Sequence, residues 1–470
     1  MTDDTRAQSG LTTTAEVDRV PLGMKFGYSM GDYAVNVAYQ TTAFYLLFYF
    51  TDIFGILPSL AGVIFLYSKV WDATSDPIMG VIIDHTKSRW GKMRPYMLFG
   101  AIPFGLTFFL LFASPGIPES LRFWYGLFSF ILFCTMITVV NVPYLALTPS
   151  LTQDSHERSV VTGYRSFFAI LGALTAAGAT LPLVGLLGGD DQVAGFRNVA
   201  ILYGVIIVAC TWITFATSKE RIKLPKAEKV VIKEAFRVVL QNRPFIILTI
   251  GMLCLMVGMN IMAIVVTYYF KYFLNAEAMT PFAFLGLFVT AAVSLPLFVT
   301  ISRKTSKKFT YNLGMGIYVF AAVLIFFFGH KRLPLGEAGF PIIIFFLVLA
   351  GVGLCTNWLS PWSMIPDTVE YAEWKTGVRP EGVLYGIFFF VTKLGTALAG
   401  FIVGNALEMV GYVANAQQTP EALFGIRTIL TLLPSAFLVL GIVIISTYPI
   451  SSEMYNKMLR EIEEKRGVGP

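Results

Sequence analysis

Apolar stretches long enough to cross a bilayer recur along almost the whole chain, and they leave few folds open to it. Spanning the hydrocarbon core takes about 20 residues of helix. Stretches near or above that length run at about 26–51, 57–84, 96–114, 120–148, 160–188 and 197–217. A second set follows at about 244–273, 281–301, 311–329, 340–366, 383–411 and 425–448. Lipid offers the backbone no hydrogen-bond partners, so such segments close their own N–H and C=O groups as α-helices. Composition agrees: of 470 residues, 56% are hydrophobic and 14% charged, against about 25% charged in soluble domains. The expected fold is an all-α membrane protein of about twelve transmembrane helices in two halves of six.

Residues 218–243 form the longest internal polar segment, with Lys219, Arg221, Lys223, Lys226, Lys229, Lys233, Arg237 and Arg243. It reads as a cytoplasmic linker, or equally as an amphipathic helix on the membrane surface. The expected organisation is an N-terminal tail over 1–24, a bundle over 25–217, the linker over 218–243, a second bundle over 244–448 and a C-terminal tail over 449–470. Short cytoplasmic loops are enriched in Lys and Arg. One side of this chain receives Lys87, Arg89, Lys92, Arg94, Arg158, the linker bases, Arg303, Lys304, Lys307, Lys308, Lys375 and Arg379. That places both termini in the cytoplasm of a bacterial-type inner membrane. Residues 1–24 lack the apolar core of a cleavable signal. Cys134, Cys210, Cys254 and Cys355 all lie in apolar stretches with no C-x-x-C pair, which argues against disulfides, zinc and haem.

Within the second stretch stand two aspartates, Asp72 and Asp76. A carboxylate at membrane depth costs about 2.5–3.5 kcal/mol on insertion scales, so a cationic partner is expected. One turn apart, the two share a helix face and repel each other unless a metal ion, a proton or a basic side chain lies between them. A coupling-cation site is one reading; a static salt bridge with Lys69 or another buried base is the other. Pro77 has no N–H, which frees the carbonyl of Ala73. With Asp72, Asp76, Ser75 and Thr138 this makes an oxygen set of the kind hard cations prefer. A kink that serves packing alone is the competing reading of Pro77.

Helix rise gives a depth to each polar residue. At about 1.5 Å per residue, Asp32, Asp72, Asp76, Thr138, Asn141, Arg165 and Lys393 fall roughly 8–18 Å from the cytoplasmic helix ends. Polar groups of both halves thus share one slab, as expected for a binding site between two transporter bundles. The loop after the second stretch, from Asp84 through Arg89, Trp90, Gly91 and Arg94 to Pro95, combines a tight turn with charges. Its charges can pair in one conformation and part in another, or simply mark the cytoplasmic face. Asp367, Glu370, Glu373, Lys375 and Arg379 are placed in the loop between helices 10 and 11 as its gating counterpart. His85, His156 and His330 fall in or beside loops and are assigned no role.

Six runs carry a resemblance: Gly31-Asp32; Phe50-Thr51-Asp52; Trp71-Asp72 through Gly80; Ser88 through Pro95; Asn141-Val142-Pro143-Tyr144; and Asp367-Thr368-Val369-Glu370-Tyr371-Ala372-Glu373-Trp374-Lys375-Thr376-Gly377. In this order the chain resembles, over about residues 25–450, the glycoside–pentoside–hexuronide:cation symporter family of the major facilitator superfamily, the family of melibiose permease. The resemblance implies two pseudosymmetric six-helix bundles, a central sugar site and alternating access driven by Na⁺, H⁺ or Li⁺. It implies Asp72 and Asp76 as cation ligands with Thr138 nearby, and Ser75 where the melibiose carriers have Asn. It also places Asp32, Asn141, Arg165, Trp358 and Lys393 around the sugar. Asn141 and Leu145 stand where the melibiose carriers have Asp and Trp, which counts against an α-galactoside.

Residue chemistry fits this independently. Sugar hydroxyls pair with charged and amide groups, and a sugar C–H face stacks on an aromatic ring. Asn141 offers the first, Trp358 the second, although Trp also anchors helices at membrane interfaces. Arg165 and Lys393 either attract an anionic uronide or neutralise Asp32 and the Asp72/Asp76 pair. No phosphate-binding G-x-x-x-x-G-K-[ST] loop or catalytic triad pattern occurs, which argues against an ATP-driven pump and against an enzyme. The expected function is cation-coupled (Na⁺ or H⁺) uptake of a sugar or glycoside, with no cofactor. Expected partners are a small saccharide, a monovalent cation and membrane lipid, with no nucleic acid and no obligate protein partner. A lysolipid or amphiphile transporter of the same superfamily and a non-transporting membrane sugar sensor are the alternatives.

Overall fold

The computed structural model describes residues 19–152, 154–220, 238–329 and 339–465. The first six long helices are α1 Leu22–Phe48, α2 Pro58–His85, α3 Arg94–Leu111, α4 Glu119–Leu151, α5 Ser155–Gly188 and α6 Gln192–Thr217. The next six are α7 Arg243–Tyr268, α8 Thr280–Lys304, α9 Lys307–Phe328, α10 Gly339–Thr376, α11 Glu381–Met409 and α12 Pro420–Ser446, followed by a shorter α13 Ser452–Lys465. Ten of these, α3 to α12, are long and apolar enough to cross a membrane. The other two, α1 and α2, span 27 and 28 residues but carry Lys25, Asp32, Lys69, Asp72 and Asp76. The fold is the all-α, twelve-helix membrane architecture expected. Arg221, Lys223, Lys226, Lys229, Lys233 and Arg237 of the expected linker, together with His330, lie outside the described residues, as does the side chain of His156.

Helix ends depart from the apolar stretches where charges are matched. Helix α1 starts at Leu22 rather than near 26, and α5 at Ser155 rather than near 160. The added turns hold Lys25 and Glu157, which neutralise each other at 2.6 Å, and Glu157 also accepts the Val20 N–H at 2.8 Å. A larger correction concerns α10. Asp367, Glu370, Glu373 and Lys375 are not in a loop; they belong to a helix that runs on to Thr376. Helical hydrogen bonding does not require lipid, so the helix continues past its apolar part until Gly377, at φ 72°, ends it in the left-handed conformation with its N–H on the Glu373 carbonyl at 2.8 Å. Only Arg379 lies in the connection that follows.

The chain divides into two compact units, one of Met1–Thr42 with Thr74–Ala227, the other of Ala43–Ala73 with Glu228–Pro470. In the first, α3 packs on α4 and α6, and α6 on α5. Its buried core includes Tyr28, Met97, Tyr144, Leu147, Leu151 and Val161. In the second, α7 packs on α11 and α12, α10 on α8 and α9, and α13 on α10. The segment 43–73 joins this unit because small residues let backbones touch. A Cβ added to Gly404 on α11 would lie 2.3 Å from the Pro58 carbonyl oxygen, and one on Gly62 would lie 3.0 Å from that of Phe401.

Helices α1 and α7 end alike. Each runs into a π-turn, Tyr49–Ile53 and Tyr269–Phe273. Phe54 and Ile56 donate to the carbonyls of Tyr49 and Phe50 at 2.8 and 2.7 Å, while Leu274 and Ala276 donate to those of Tyr269 and Phe270 at 3.0 and 2.8 Å. Gly55 and Asn275 then take φ 74° and 50°. The two turns read Tyr-Phe-Thr-Asp-Ile and Tyr-Phe-Lys-Tyr-Phe.

Candidate functional site

Asp32 sits on α1, one turn after Tyr28, and α4 presents Tyr144 and Thr148 with the same spacing. The two pairs interlock. The Tyr28 hydroxyl donates to the Tyr144 carbonyl at 2.7 Å and lies 2.7 Å from the Thr148 hydroxyl, while the Tyr144 hydroxyl donates to Asp32 Oδ2 at 2.6 Å. Arg165 of α5 completes the group: its Nε donates to Asp32 Oδ2 at 2.7 Å and its Nη1 to Thr148 at 2.9 Å. Its guanidinium carbon lies 5.1 Å from the centre of the Tyr144 ring. A buried charge pair of this kind persists only when its remaining donors and acceptors are also used. Asn141 stands one turn before Leu145 on α4; it is half-buried, and Leu145 is exposed.

A second cluster in the same unit joins α2 to α4. The Thr138 hydroxyl donates to Asp76 Oδ1 at 2.9 Å and lies 3.1 Å from the Ser75 hydroxyl. The Thr138 hydroxyl thus links one carboxylate oxygen to the Ser75 hydroxyl, three oxygens in a row from two helices. Among the described residues no group of three or more His, Cys, Asp or Glu side chains is placed to hold a metal. Carboxylate and hydroxyl oxygens are the donors on offer, a set suited to a hard monovalent cation.

In the second unit Asp72 meets two lysines. Lys393 of α11 donates to Asp72 Oδ1 at 3.0 Å and to its backbone carbonyl at 3.2 Å. Lys69, one turn earlier on α2, lies 3.7 Å from Oδ2. The static-pair reading for Asp72 thus has a physical basis, with Lys393 the nearer base. Trp358 of α10 is 43% exposed, and its ring stacks on Phe288 of α8 at 6.1 Å.

The charges expected to gate divide among local contacts. Arg94 is the first residue of α3; its Nη2 donates to the Phe215 carbonyl at 2.9 Å and its guanidinium covers the Phe215 ring at 4.6 Å. Arg89 lies over Trp90 at 4.0 Å, and Asp84 is exposed near the end of α2. Lys307 clasps Asp367 at 2.7 and 2.8 Å, and Arg379 bridges Glu373 at 3.0 Å and Glu381 at 3.3 Å. Burial tends to lower the Arg379 pKa, but these two carboxylates outweigh it and the net direction is upward. Glu370 acts on Tyr455 of α13, whose phenol is raised by burial and by that hydrogen bond.

Two groups escaped the sequence reading. Glu220, in a segment otherwise read as basic, accepts the backbone N–H groups of Lys92 and Met93 at 3.1 and 2.7 Å and so pins the loop after α2. Asp52, noticed only as part of a run, is the centre of a closed network. It receives Lys271 at 2.9 Å, Tyr412 at 2.6 Å, Thr51 at 2.7 Å and the Tyr272 hydroxyl, while Asn415 donates to its carbonyl. Thr51 in turn lies 2.8 Å from the Tyr268 hydroxyl. Burial first, and the Asp52 charge second, hold the Tyr412 phenol far above its usual value.

Comparison with known proteins identifies the family and the fold. Residues 27–452 match the family described as MFS/sugar transport protein. The isoprimeverose transporter of Lactiplantibacillus pentosus is 31% identical, covering 95% of this chain and 92% of the relative. A glucuronide carrier protein homolog of Escherichia coli is 30% identical, covering 94% and 95%. In fold, the crystal structure of a D-xylose-proton symporter superposes with a TM-score of 0.66 over 91% of this chain and 98% of that one at 12% identity. On the family match over residues 27–452 and these two relatives, the chain belongs to the MFS/sugar transport family, in its glycoside–pentoside–hexuronide branch, and is a transporter rather than an enzyme.

Proposed function

We propose that the protein imports a neutral sugar or glycoside together with Na⁺ or H⁺, from a bacterial-type inner membrane with both termini in the cytoplasm. The observation that carries the coupling is the oxygen cluster of Asp76, Thr138 and Ser75, whose hydroxyls stand within 3.1 Å of one another beside a carboxylate. Asp72, one turn away on α2, acts as the switch between this ion and the Lys393 ammonium. Neutrality of the substrate follows from charge matching. Arg165 is already engaged by Asp32 and Lys393 by Asp72, so a uronide carboxylate would have to compete for each. Asp32 and Asn141 then take the sugar hydroxyls, and Trp358 takes a C–H face. Asp84, Arg89, Arg94, Asp367, Glu370 and Arg379 set the balance of the two access states.

Energy comes from the gradient. At 100 mV one monovalent cation supplies about 2.3 kcal/mol, enough for roughly fiftyfold accumulation of a neutral solute. The test is uptake into proteoliposomes of labelled isoprimeverose, xylose and methyl glucuronide under imposed Na⁺ or proton gradients. A neutral sugar is expected to accumulate with one of the two ions. Asp76→Asn is expected to abolish accumulation while leaving sugar exchange. Uphill uptake by that variant, or inhibition by lysolipids rather than sugars, would sink the reading.

A further inference from the structure

Two of the short runs in this sequence, Gly31-Asp32 and Asn141 through Tyr144, meet in one device. A Cβ on Gly31 would lie 2.5 Å from Tyr144 Cε2, 2.9 Å from Cδ2 and 3.0 Å from Cζ. No side chain fits there, so the Tyr144 ring packs directly on α1 at Gly31. Its hydroxyl is thereby delivered to the carboxylate of the very next residue. The ring is 1% exposed and cannot swing away, and Tyr28 fixes its backbone through the carbonyl at 2.7 Å.

We infer that Tyr144, seated by Gly31, is a positioning residue that aims the Asp32 carboxylate at the sugar. This rests on the reading of Asp32 as a sugar ligand. A carboxylate offers about four lone-pair sites over two oxygens. Tyr144 and Arg165 Nε both occupy Oδ2, at 2.6 and 2.7 Å, and Nε also lies 3.3 Å from the Tyr144 hydroxyl. Among the described residues Oδ1 receives only the long 3.4 Å contact from Arg165 Nη2. The tyrosine thus makes the two oxygens unequal: one is tied into the protein, the other keeps acceptor capacity for a sugar hydroxyl. Without the phenol, Arg165 is free to draw the carboxylate into a symmetric two-toothed pair, which uses the oxygen that would meet substrate.

The experiment uses full-length protein in proteoliposomes with labelled isoprimeverose as probe. Tyr144→Phe is expected to raise KM about tenfold with little change in maximal rate, the loss of one charge-assisted hydrogen bond's worth of orientation. Gly31→Ala should move KM in the same direction by displacing the ring. A folding defect would lower the maximal rate and leave KM alone. Because the effect passes through Asp32, adding Tyr144→Phe to Asp32→Glu, whose longer side chain leaves the phenol behind, should change KM less than about twofold. A second readout needs no substrate: the infrared carboxylate band assigned by difference against Asp32→Asn should shift in Tyr144→Phe. An unshifted band overturns the inference whether or not the probe is carried, as does an unchanged KM or full additivity with Asp32→Glu. If wild-type protein carries no sugar while the band shifts, the positioning stands and the transport reading fails.

Discussion

Helical run 22–53 carries two buried aspartates, Asp32 and Asp52, each with a basic partner and each accepting a tyrosine hydroxyl at 2.6 Å. They nevertheless differ in what is left over. The Asp52 side chain is 0% exposed, and both of its oxygens are taken by strong donors from Thr51, Lys271, Tyr272 and Tyr412. Asp32 keeps 12% of its side chain exposed and one oxygen only loosely held. A saturated carboxylate has nothing to offer a ligand; it can only hold or release the elements around it. A half-saturated one is shaped by the protein and finished by something else. Charge burial alone therefore does not mark a binding residue; the proposed sugar site also requires spare acceptor capacity, which Asp32 has and Asp52 lacks.

The sharpest way to break this contrast is to delete each carboxylate. Removing one partner from a buried, fully paired network costs about 3–5 kcal/mol, so Asp52→Ala should lower the thermal stability of the purified protein strongly. Asp32→Ala should lower it by roughly half as much, since solvent reaches Arg165 and relieves the orphaned charge, yet it should abolish sugar binding. The measurement is loss of monomer on heating in detergent, beside equilibrium binding of labelled sugar. Equal stability losses would mean that Asp32 is as structural as Asp52.

Next in size is coupling, where Asp72 stands between the two cases: its side chain is 3% exposed, like Asp52, but its partners are lysines whose engagement can change. Lys393→Ala is expected to leave folded protein that exchanges sugar but accumulates it at least about tenfold less, because at 1.36 kcal/mol per decade a modest shift in ion affinity spends most of the gradient's worth. Accumulation at wild-type levels would assign Lys393 to packing, and Asp72 with it to the structural class.

Much of this is legible in the sequence. Asp32, Asp72, Asp76, Arg165 and Lys393 announce themselves because a charge inside an apolar stretch needs a partner: Asp32 is paired with Arg165 and Asp72 with Lys393, whereas Asp76 accepts the Thr138 hydroxyl. Their partners were harder to read. Tyr144 looks like any aromatic in a membrane helix until its hydroxyl is seen on Asp32, and Gly31 like any small residue until a ring covers it. Asp52 fell just past the expected end of its helix, and the residues that saturate it lie more than 200 positions away at Lys271, Tyr272 and Tyr412. Glu220 was hidden by the basic residues around it. Apolarity alone puts the charged end of α10 in a loop because it records where lipid ends, while the helix stops only where Gly377 allows it to turn.

A smaller effect sharpens the comparison at the level of backbone. If the paired π-turns are what aim Asp52 and Lys271 at each other, the left-handed residues that end them should matter. Gly55→Ala places a Cβ at φ 74° and is expected to cost about 1–2 kcal/mol. Asn275→Gly, at φ 50°, should be neutral or slightly stabilising. Both are read as shifts in melting temperature; a costless Gly55→Ala would show that the turn relaxes without disturbing the network.

Within the ordinary pH range the effect of pH is smaller still. The Tyr412 phenol is held protonated by burial and by the adjacent Asp52 charge, so its pKa lies far above the value near 10.0 that an exposed tyrosine has. Below about pH 10 the phenol is protonated in folded and unfolded chains alike, and it contributes no pH dependence to stability. Above about pH 10 the unfolded chain releases this proton and the folded chain does not, so stability falls by about 1.4 kcal/mol per pH unit for the one group. The stability difference between wild-type protein and Tyr412→Phe should therefore be constant from about pH 6 to 9 and shrink above about pH 10. Heating curves of the two proteins across that range make the check. A difference that already changes near neutrality would mean that the Asp52 network takes up or releases a proton in the working range. Asp52 would then resemble a coupling site rather than a saturated lock, and the distinction between the two aspartates of this helical run would be lost.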